Sequence, residues 1–255
     1  MSDDVLANYD VKKVHAWYLR LAAAVAKKTV KGKTPLSAQL LKTYLTNKIK
    51  GATVTFTAPN YLQDYFKVTA TLQYHRDVFL SEKKARIGKA TKWAGLVPRL
   101  DDKRWDGISK IAMSYESLCE IGSGVEIVRI QMSGTDEERD LFTSLRGFQL
   151  HSDVEMKGRK IGFGTIAEFV SWNAVALDVY DFDYGEHLTM PNPDYGSKSA
   201  DAIAPGQRMI RVYHKNAQRI EKAGLAAPYK VKVGPWKVTD TKLLASHRLN
   251  VANHD

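Results

Sequence analysis

The chain has 255 residues, of which 44% are hydrophobic and 10% aromatic, so it is long and apolar enough to bury a substantial core. This composition excludes a disordered or fibrous protein, and the single cysteine, Cys119, excludes an intrachain disulfide or a thiolate metal cluster. The formal net charge of +10 favours partners that carry phosphate groups, such as an anionic membrane or a nucleic acid.

The N-terminus and the apolar runs bear on where the protein acts. The first residues, Met1 to Asp4, are acidic where a secretory signal is basic. The longest apolar run, Leu21 to Ala26, is far shorter than the about 20 residues that a membrane-spanning helix needs. We therefore expect a protein that is made in the cytoplasm without a classical signal peptide, so that any export requires a dedicated secretion machine or cell lysis.

Two helices are predicted near the N-terminus. Apolar residues recur at helical spacing over residues 11–28, with lysines on the opposite face: Val14, Trp17, Tyr18, Leu21, Ala22 and Val25. The segment from Lys31 to Pro35 ends this helix, and a second helix is predicted from Ser37 to Lys50, before Gly51. We predict a helical N-terminal cap over residues 1–50 and a mixed body over residues 51–255.

Strands dominate the predicted body. Runs of β-branched and aromatic residues predict strands over residues 54–56, 66–74, 111–115, 125–132, 148–156, 161–163, 167–179, 209–213 and 229–238. Every second residue of the run 148–156 is expected to face the core, with a hairpin turn at Gly158. Two helices interrupt the strands: one begins at Thr135, followed by three acids, and one spans residues 214–223 before Gly224.

The remaining segments complete the predicted fold. His75–Arg76–Asp77 is expected to begin a polar loop after a strand, residues 82–92 form a charged helix or loop, and residues 93–100 are extended. Cys119 is expected to be a small buried residue. Together these elements predict an α+β fold, in which N-terminal helices pack on a predominantly antiparallel, strand-rich and open barrel-like C-terminal part.

A compact set of titratable side chains lies at and after the end of the predicted strand 167–179: Asp178, Tyr180, Asp181 and His187. Paired carboxylates can hold a divalent cation against a diphosphate, or divide the roles of base and electrostatic anchor. A nearby histidine can protonate a leaving oxygen. On a strand Asp178 and Tyr180 share a face, and a bend after Phe182 turns Asp181 towards them. The structural alternative is that the acids cap the strand, Tyr180 fills the core and His187 is a loop residue.

This arrangement resembles the active motif of the colicin M-like bacteriocins, which reads Asp-x-Tyr-Asp, usually followed by Phe, with His nine residues after the first Asp and Arg directly after the His. Asp178, Tyr180, Asp181, Phe182 and His187 match it, whereas Leu188 stands where the family has Arg. The nearest candidates for a replacement guanidinium are Arg211 and Arg208, on and before the next predicted strand.

The resemblance implies hydrolysis of lipid II, the undecaprenyl-diphosphate-linked precursor of peptidoglycan, at the bond between lipid and diphosphate. It implies catalytic roles for Asp178, Tyr180, Asp181 and His187. It also implies a Mg²⁺ or Ca²⁺ ion held by the two aspartates, and it makes Arg211 and Arg208 candidates for binding the substrate.

A second resemblance covers more of the chain. The segments 74–78, 93–99, 191–195 and 211–214 are similar to an uncharacterised family of bacterial proteins that is associated with type VI secretion. This similarity implies an antibacterial effector that acts in the periplasm of a target cell, with an immunity protein and a component of the secretion apparatus as partners.

Two other functions remain open from the sequence. A non-catalytic binding module would dock on a secretion component or on an anionic envelope, and the absence of the family arginine favours this alternative. A nuclease toxin would fit the positive charge, but nucleases commonly carry a denser set of metal-binding residues, so no specific nucleic acid partner is expected.

Overall fold

The computed structural model describes residues 4–80, 108–161, 164–182 and 187–249. Close contacts divide the chain into two compact units. The first unit contains residues 1–54, 122–146 and 178–231, and the second contains residues 55–121, 147–177 and 232–255. The predicted division into residues 1–50 and 51–255 stays a prediction of domain organisation.

The described residues form both helices and strands. The helices are a short 3-10 turn, Val5–Asn8, followed by α1 (Val11–Ala26), α2 (Leu36–Thr46), α3 (Tyr61–Asp64), α4 (Phe66–Leu80), α5 (Val125–Ser133), α6 (Asp136–Ser144), α7 (His214–Lys222) and α8 (Thr241–Leu244). The strands are β1 (Thr53–Phe56), β2 (Ile108–Glu120), β3 (Gly147–Ile161), β4 (Gly164–Tyr180), β5 (His187–Pro191), β6 (Met209–Tyr213), β7 (Tyr229–Lys237) and β8 (His247–Leu249).

The strands form two sheets. The larger has the order β1-β7-β4-β3-β2, and β8 also pairs with β4; β5 and β6 form a separate two-stranded sheet. The pairs β2–β3, β3–β4, β4–β8 and β5–β6 are antiparallel. Because β1 and β2 end the strand order on opposite sides, the described strands do not close into a barrel. The predicted α+β class is confirmed.

The first unit is built on α1 and α2, which pack together, with α6 against α2 and α7 against α1. The predicted face of α1 is buried through Val14, Trp17, Tyr18, Leu21 and Ala22. The N-terminal end of α2 has a carboxylate from elsewhere in the chain: Asp140 accepts hydrogen bonds from the amides of Leu36 (2.8 Å) and Ser37 (2.9 Å). This contact satisfies two helix-terminal N–H groups that have no partner within α2.

The predicted start of α6 is also confirmed. The Thr135 hydroxyl accepts a hydrogen bond from the amide of Glu138, whose carboxylate in turn accepts one from the amide of Thr135. This reciprocal pair is the capping box that the sequence pattern predicts. Leu141 and Phe142 of the helix are buried, as expected, and Leu145, the residue that follows its last turn, is buried too.

In the second unit, alternate residues of β3 are buried as predicted: Phe148, Leu150, Ser152, Val154 and Met156. Helix α4 packs against β2. Cys119 is buried, which confirms the prediction for this residue.

Two predicted strands are helices. Residues 66–74 belong to α4, where the buried residues Val68, Leu72, His75 and Phe79 recur at helical spacing. The prediction was wrong because it rested on the β-branched residues of 66–74. The helical spacing of the apolar residues becomes evident only when the segment is extended beyond His75. His75 therefore lies in the core and does not begin a polar loop.

Residues 125–132 belong to α5, in which Ile130 is the buried residue, although the run of β-branched residues favoured a strand.

Two predicted boundaries are also wrong. Helix α2 ends at Thr46, because Asn47 has an extended backbone and its side chain binds the carbonyls of Ile49 and Ala227. Gly158 is not a turn, since it lies within β3 and pairs with Ser109 and Ala167. The segments predicted for residues 82–92 and 93–100 lie outside the described residues.

Candidate active site

The first part of the motif lies at the end of β4. Asp178 and Tyr180 are half-buried, whereas Val179 between them is 50% exposed, which is the alternation expected on a strand. The Asp178 carboxylate accepts a hydrogen bond from the amide of Val179 at 2.8 Å. Asp181, directly after the strand, is exposed to solvent. The two carboxylates therefore flank the point at which the strand ends.

Tyr180 and Phe182 anchor this point in the interior of the first unit. The ring of Tyr180 stacks on Tyr229 at 5.7 Å and lies 5.8 Å from Tyr44, and Phe182 is 4.9 Å from Tyr44. Burial raises the pKa of Tyr180. The phenol therefore stays protonated at physiological pH and is available as a hydrogen-bond donor, not as a base.

The chain leaving the motif is attached to the beginning of α7. The carbonyl of Phe182 accepts a hydrogen bond from Nε2 of Gln218 at 2.8 Å. The ring of Phe182 also meets the imidazole of His214 edge-on, with 5.2 Å between the ring centroids. This contact fixes the acid-bearing end of the motif next to the first residue of α7.

His187 returns to the same place from the other end of the motif. It begins β5, a strand that was not predicted, and pairs in register with Tyr213, the last residue of β6. The two rings lie 5.1 Å apart. Phe182 contacts His214 and His187 contacts Tyr213, and these two contacted residues are consecutive in the sequence.

Arg211 lies on the same face of the hairpin as His187. Thr189 pairs with Arg211 and His187 with Tyr213, so His187 and Arg211 are diagonal neighbours, at a spacing of about 7–8 Å in antiparallel pairs. Both residues are exposed. Arg211 is therefore a neighbour of His187 on this face, and its role in binding the substrate stays a prediction.

Leu188 and Arg208 lie elsewhere. Leu188 is half-buried and pairs with Val212, which is buried, so the position directly after His187 faces inwards. Arg208 precedes β6; its carbonyl accepts a hydrogen bond from the amide of Asn192 at 2.9 Å, and the residue is exposed. The structure does not place Arg208 in register with His187.

A buried acid that the sequence reasoning missed lies beside α7. Asp4 accepts a hydrogen bond from Nδ2 of Asn216 at 2.8 Å and forms an ion pair with Lys215 at 3.1 Å. Arg219 of the same helix donates hydrogen bonds to the carbonyls of Leu6, Ala7 and Tyr9. Helix α7 is thus bound by the N-terminal segment, a contact that no local sequence pattern indicates.

The donor chemistry of the motif suits a hard cation. Carboxylates are preferred ligands of Mg²⁺ and Ca²⁺, and Mg²⁺ commonly uses one or two of them together with phosphate oxygens. Asp178 and Asp181 provide two such groups close in sequence. Within the parts of the chain that the structure describes, there is no cluster of three or more His, Cys, Asp or Glu side chains arranged to hold a metal ion.

Comparisons with known proteins add no relatives. Neither the protein-family models, nor the curated proteins, nor the solved structures yield a match to this chain. Each helix of the described residues is too short or too polar to cross a bilayer.

Proposed function

We propose that the chain is an antibacterial effector that hydrolyses lipid II at the bond between lipid and diphosphate, and thereby blocks cell-wall synthesis. The observation that carries this proposal is that His187 and Arg211 share one exposed face of the β5–β6 hairpin, while Phe182, the residue after Asp181, contacts His214, the residue after Tyr213. The face presents an imidazole and a guanidinium together, and the two aspartates of the motif belong to the same unit of the fold.

The proposed reaction needs neutralisation of the diphosphate, activation of water and protonation of the lipid oxygen. Arg211 supplies positive charge for the phosphate oxygens. Water adds to phosphorus, the P–O bond to the lipid breaks, and His187 is positioned to move the proton to the leaving lipid oxygen. A Mg²⁺ or Ca²⁺ ion, when bound, supplies further charge neutralisation at the diphosphate.

The remaining motif residues have supporting roles in this proposal. Asp178 and Asp181 hold the cation or activate the water. Tyr180 is packed between Tyr44 and Tyr229 and stays neutral, which favours orientation of the neighbouring Asp178 over direct proton transfer.

The biological setting is part of the same proposal. Lipid II lies at the membrane surface, and we place the action of the protein in the periplasm of the target cell, after export without a classical signal peptide. An immunity protein and a component of the secretion apparatus are the expected partners. The net charge of +10 supports approach to an anionic membrane surface.

The test is incubation of the purified protein with lipid II and Mg²⁺ or Ca²⁺, followed by detection of the released diphosphate-linked headgroup. We expect release by the wild type, none detectable with Asp181→Ala, and a loss of about 100-fold in kcat/KM with Arg211→Ala. Lys222→Ala removes a positive charge from the exposed end of α7 and is the matched control.

The alternatives give different outcomes in the same assay. A binding module releases no headgroup in any form, while a reference lipid II hydrolase does so under the same conditions. A nuclease toxin degrades DNA or RNA added in parallel. Equal release by the wild type and by Asp181→Ala would separate the activity from the motif and would overturn the proposal.

A further inference from the structure

The loop between β5 and β6 controls whether His187 and Arg211 share a face. Side chains alternate along a strand, so a register slip of one residue would exchange His187 for Leu188 on the exposed face. The loop begins at Asn192, whose amide donates a hydrogen bond to the carbonyl of Arg208 at 2.9 Å and so continues the pairing of the two strands. The bonds that hold this loop therefore bear directly on the candidate active site.

Asn192 is buried and joins both ends of the loop. Its side-chain Nδ2 lies 2.8–3.0 Å from three carbonyl oxygens at the far end of the loop, those of Ile203, Ala204 and Gln207. Its Oδ1 accepts hydrogen bonds from Nε1 of Trp17 (3.1 Å) and from the amide of Asp194 (3.1 Å). One amide side chain thus closes the loop across its base and attaches it to α1, 175 residues away in the sequence.

Asp194 makes the second attachment. Its carboxylate is held in a two-point ion pair by Arg20 of α1, with distances of 2.7 Å to Nε and 2.8 Å to Nη2. It also accepts a hydrogen bond from the amide of Ile203 at 2.8 Å. Burial by itself disfavours the charged form, but the bonds from Arg20 and Ile203 outweigh it and lower the pKa of Asp194.

The backbone of the loop is strained where these bonds meet it. Ala204 has a φ of +45°, a conformation that residues with a Cβ adopt rarely. Its carbonyl accepts hydrogen bonds from Nδ2 of Asn192 (2.8 Å) and from the amide of Gln207 (2.9 Å). The strained position is therefore bonded both to Asn192 at the start of the loop and to Gln207 near its end.

We propose that Asn192 and Asp194, held by Trp17 and Arg20, are positioning residues that fix the register of β5 and β6 and so align His187 with Arg211. These four residues are called the loop clamp below. The inference rests on the proposed function for its catalytic consequence, whereas its structural consequence, the register, is measurable without any substrate.

The register is tested by a cross-strand disulfide. Thr189 and Arg211 face each other, so Thr189→Cys with Arg211→Cys is expected to oxidise readily to an intramolecular disulfide. Adding Asn192→Ala should slow this oxidation by about tenfold or more, while circular dichroism shows retained secondary structure. Adding Asp194→Asn should slow the oxidation in the same way. Adding Lys198→Gln, which changes the charge at an exposed position of the same loop, is the control and should leave the rate unchanged.

Activity on lipid II provides the second measurement, in chains that keep Thr189 and Arg211. The substitutions Asn192→Ala and Asp194→Asn should each lower kcat/KM about tenfold or more, and Asp194→Glu should recover part of the loss by restoring the charge. If Asn192→Ala does not fold, Asp194→Asn alone is used for both the oxidation rate and the activity. A folded clamp variant that oxidises at the parental rate overturns the inference, whatever its activity.

The two measurements keep the proposals apart. If the clamp substitutions slow formation of the disulfide between positions 189 and 211, and the wild type releases no headgroup from lipid II, the loop clamp is supported and the proposed function is overturned. An unchanged disulfide rate in a chain that hydrolyses lipid II does the reverse.

Discussion

His75 offers a quantitative test of the interior of the second unit. It is fully buried in α4; its Nδ1 lies 2.7 Å from Oγ of Ser152, and its Nε2 has no hydrogen-bond partner among the described residues. The ring is surrounded by Tyr115 and Phe79. Burial, assisted by the charge of His151 when protonated, lowers the pKa of His75 from 6.5 to about 4.

Because the pKa of His75 is lowered in the folded chain, a fall in pH destabilises the fold. Between pH 6.5 and pH 4 the unfolded chain binds a proton at His75 that the folded chain does not, so the free energy of unfolding falls as the pH falls. With those two pKa values the loss relative to pH 7 is about 2 kcal/mol at pH 5 and about 3 kcal/mol at pH 4. His75→Asn, which retains a polar group near Ser152 but does not titrate, should lack this contribution.

The measurement is urea denaturation at several pH values, followed by fluorescence and circular dichroism so that coincident transitions can be verified. His247→Asn, at an exposed histidine, is the matched control and should behave as the wild type does. If the wild type and His75→Asn show the same pH dependence to within about 0.5 kcal/mol, His75 is not buried in its neutral form and the reasoning is refuted.

Two further predictions concern the first unit. Asp140→Asn should lower the free energy of unfolding by about 1–2 kcal/mol in thermal or urea denaturation, because the charged acceptor for the amides of Leu36 and Ser37 is lost; an unchanged stability would contradict this role. Leu188→Arg should lower stability by about 1–3 kcal/mol and should not raise lipid II hydrolysis, because position 188 faces the buried Val212; increased hydrolysis by a folded variant would contradict the assignment of faces.

The sequence correctly predicted those elements that have an unambiguous local pattern, either a regular spacing of apolar residues or a capping motif. The apolar stripe of α1, the capping box at Thr135 and the alternation in β3 are each contained within one element, and each was confirmed. The predicted strand over residues 66–74 failed because its β-branched and aromatic residues favour strands, whereas burial of Leu72 and Phe79 against other elements stabilises a helix.

The site was predictable only in part, for a related reason. Asp178, Asp181 and His187 are close in sequence, so their spacing could be compared with a known motif. Strand β5 is short and lies in a segment rich in turn residues, so its pairing with Tyr213 was not visible. Asp4 was recognised only as a charge, because its partners Lys215 and Asn216 lie more than 200 residues away in the sequence.

A motif of reactive residues does not by itself determine which of them act together. On β5 the residue directly after His187 must face the other side of the hairpin, so an arginine at that position would not share the exposed face in this fold. Arg211 shares the exposed face with His187, but only in the observed register of β5 and β6. In our proposal this register depends on the bonds of Asn192 across the base of the loop and to Trp17. The absence of arginine at position 188 is therefore compatible with an active site, provided that contacts remote from the motif keep the two strands aligned.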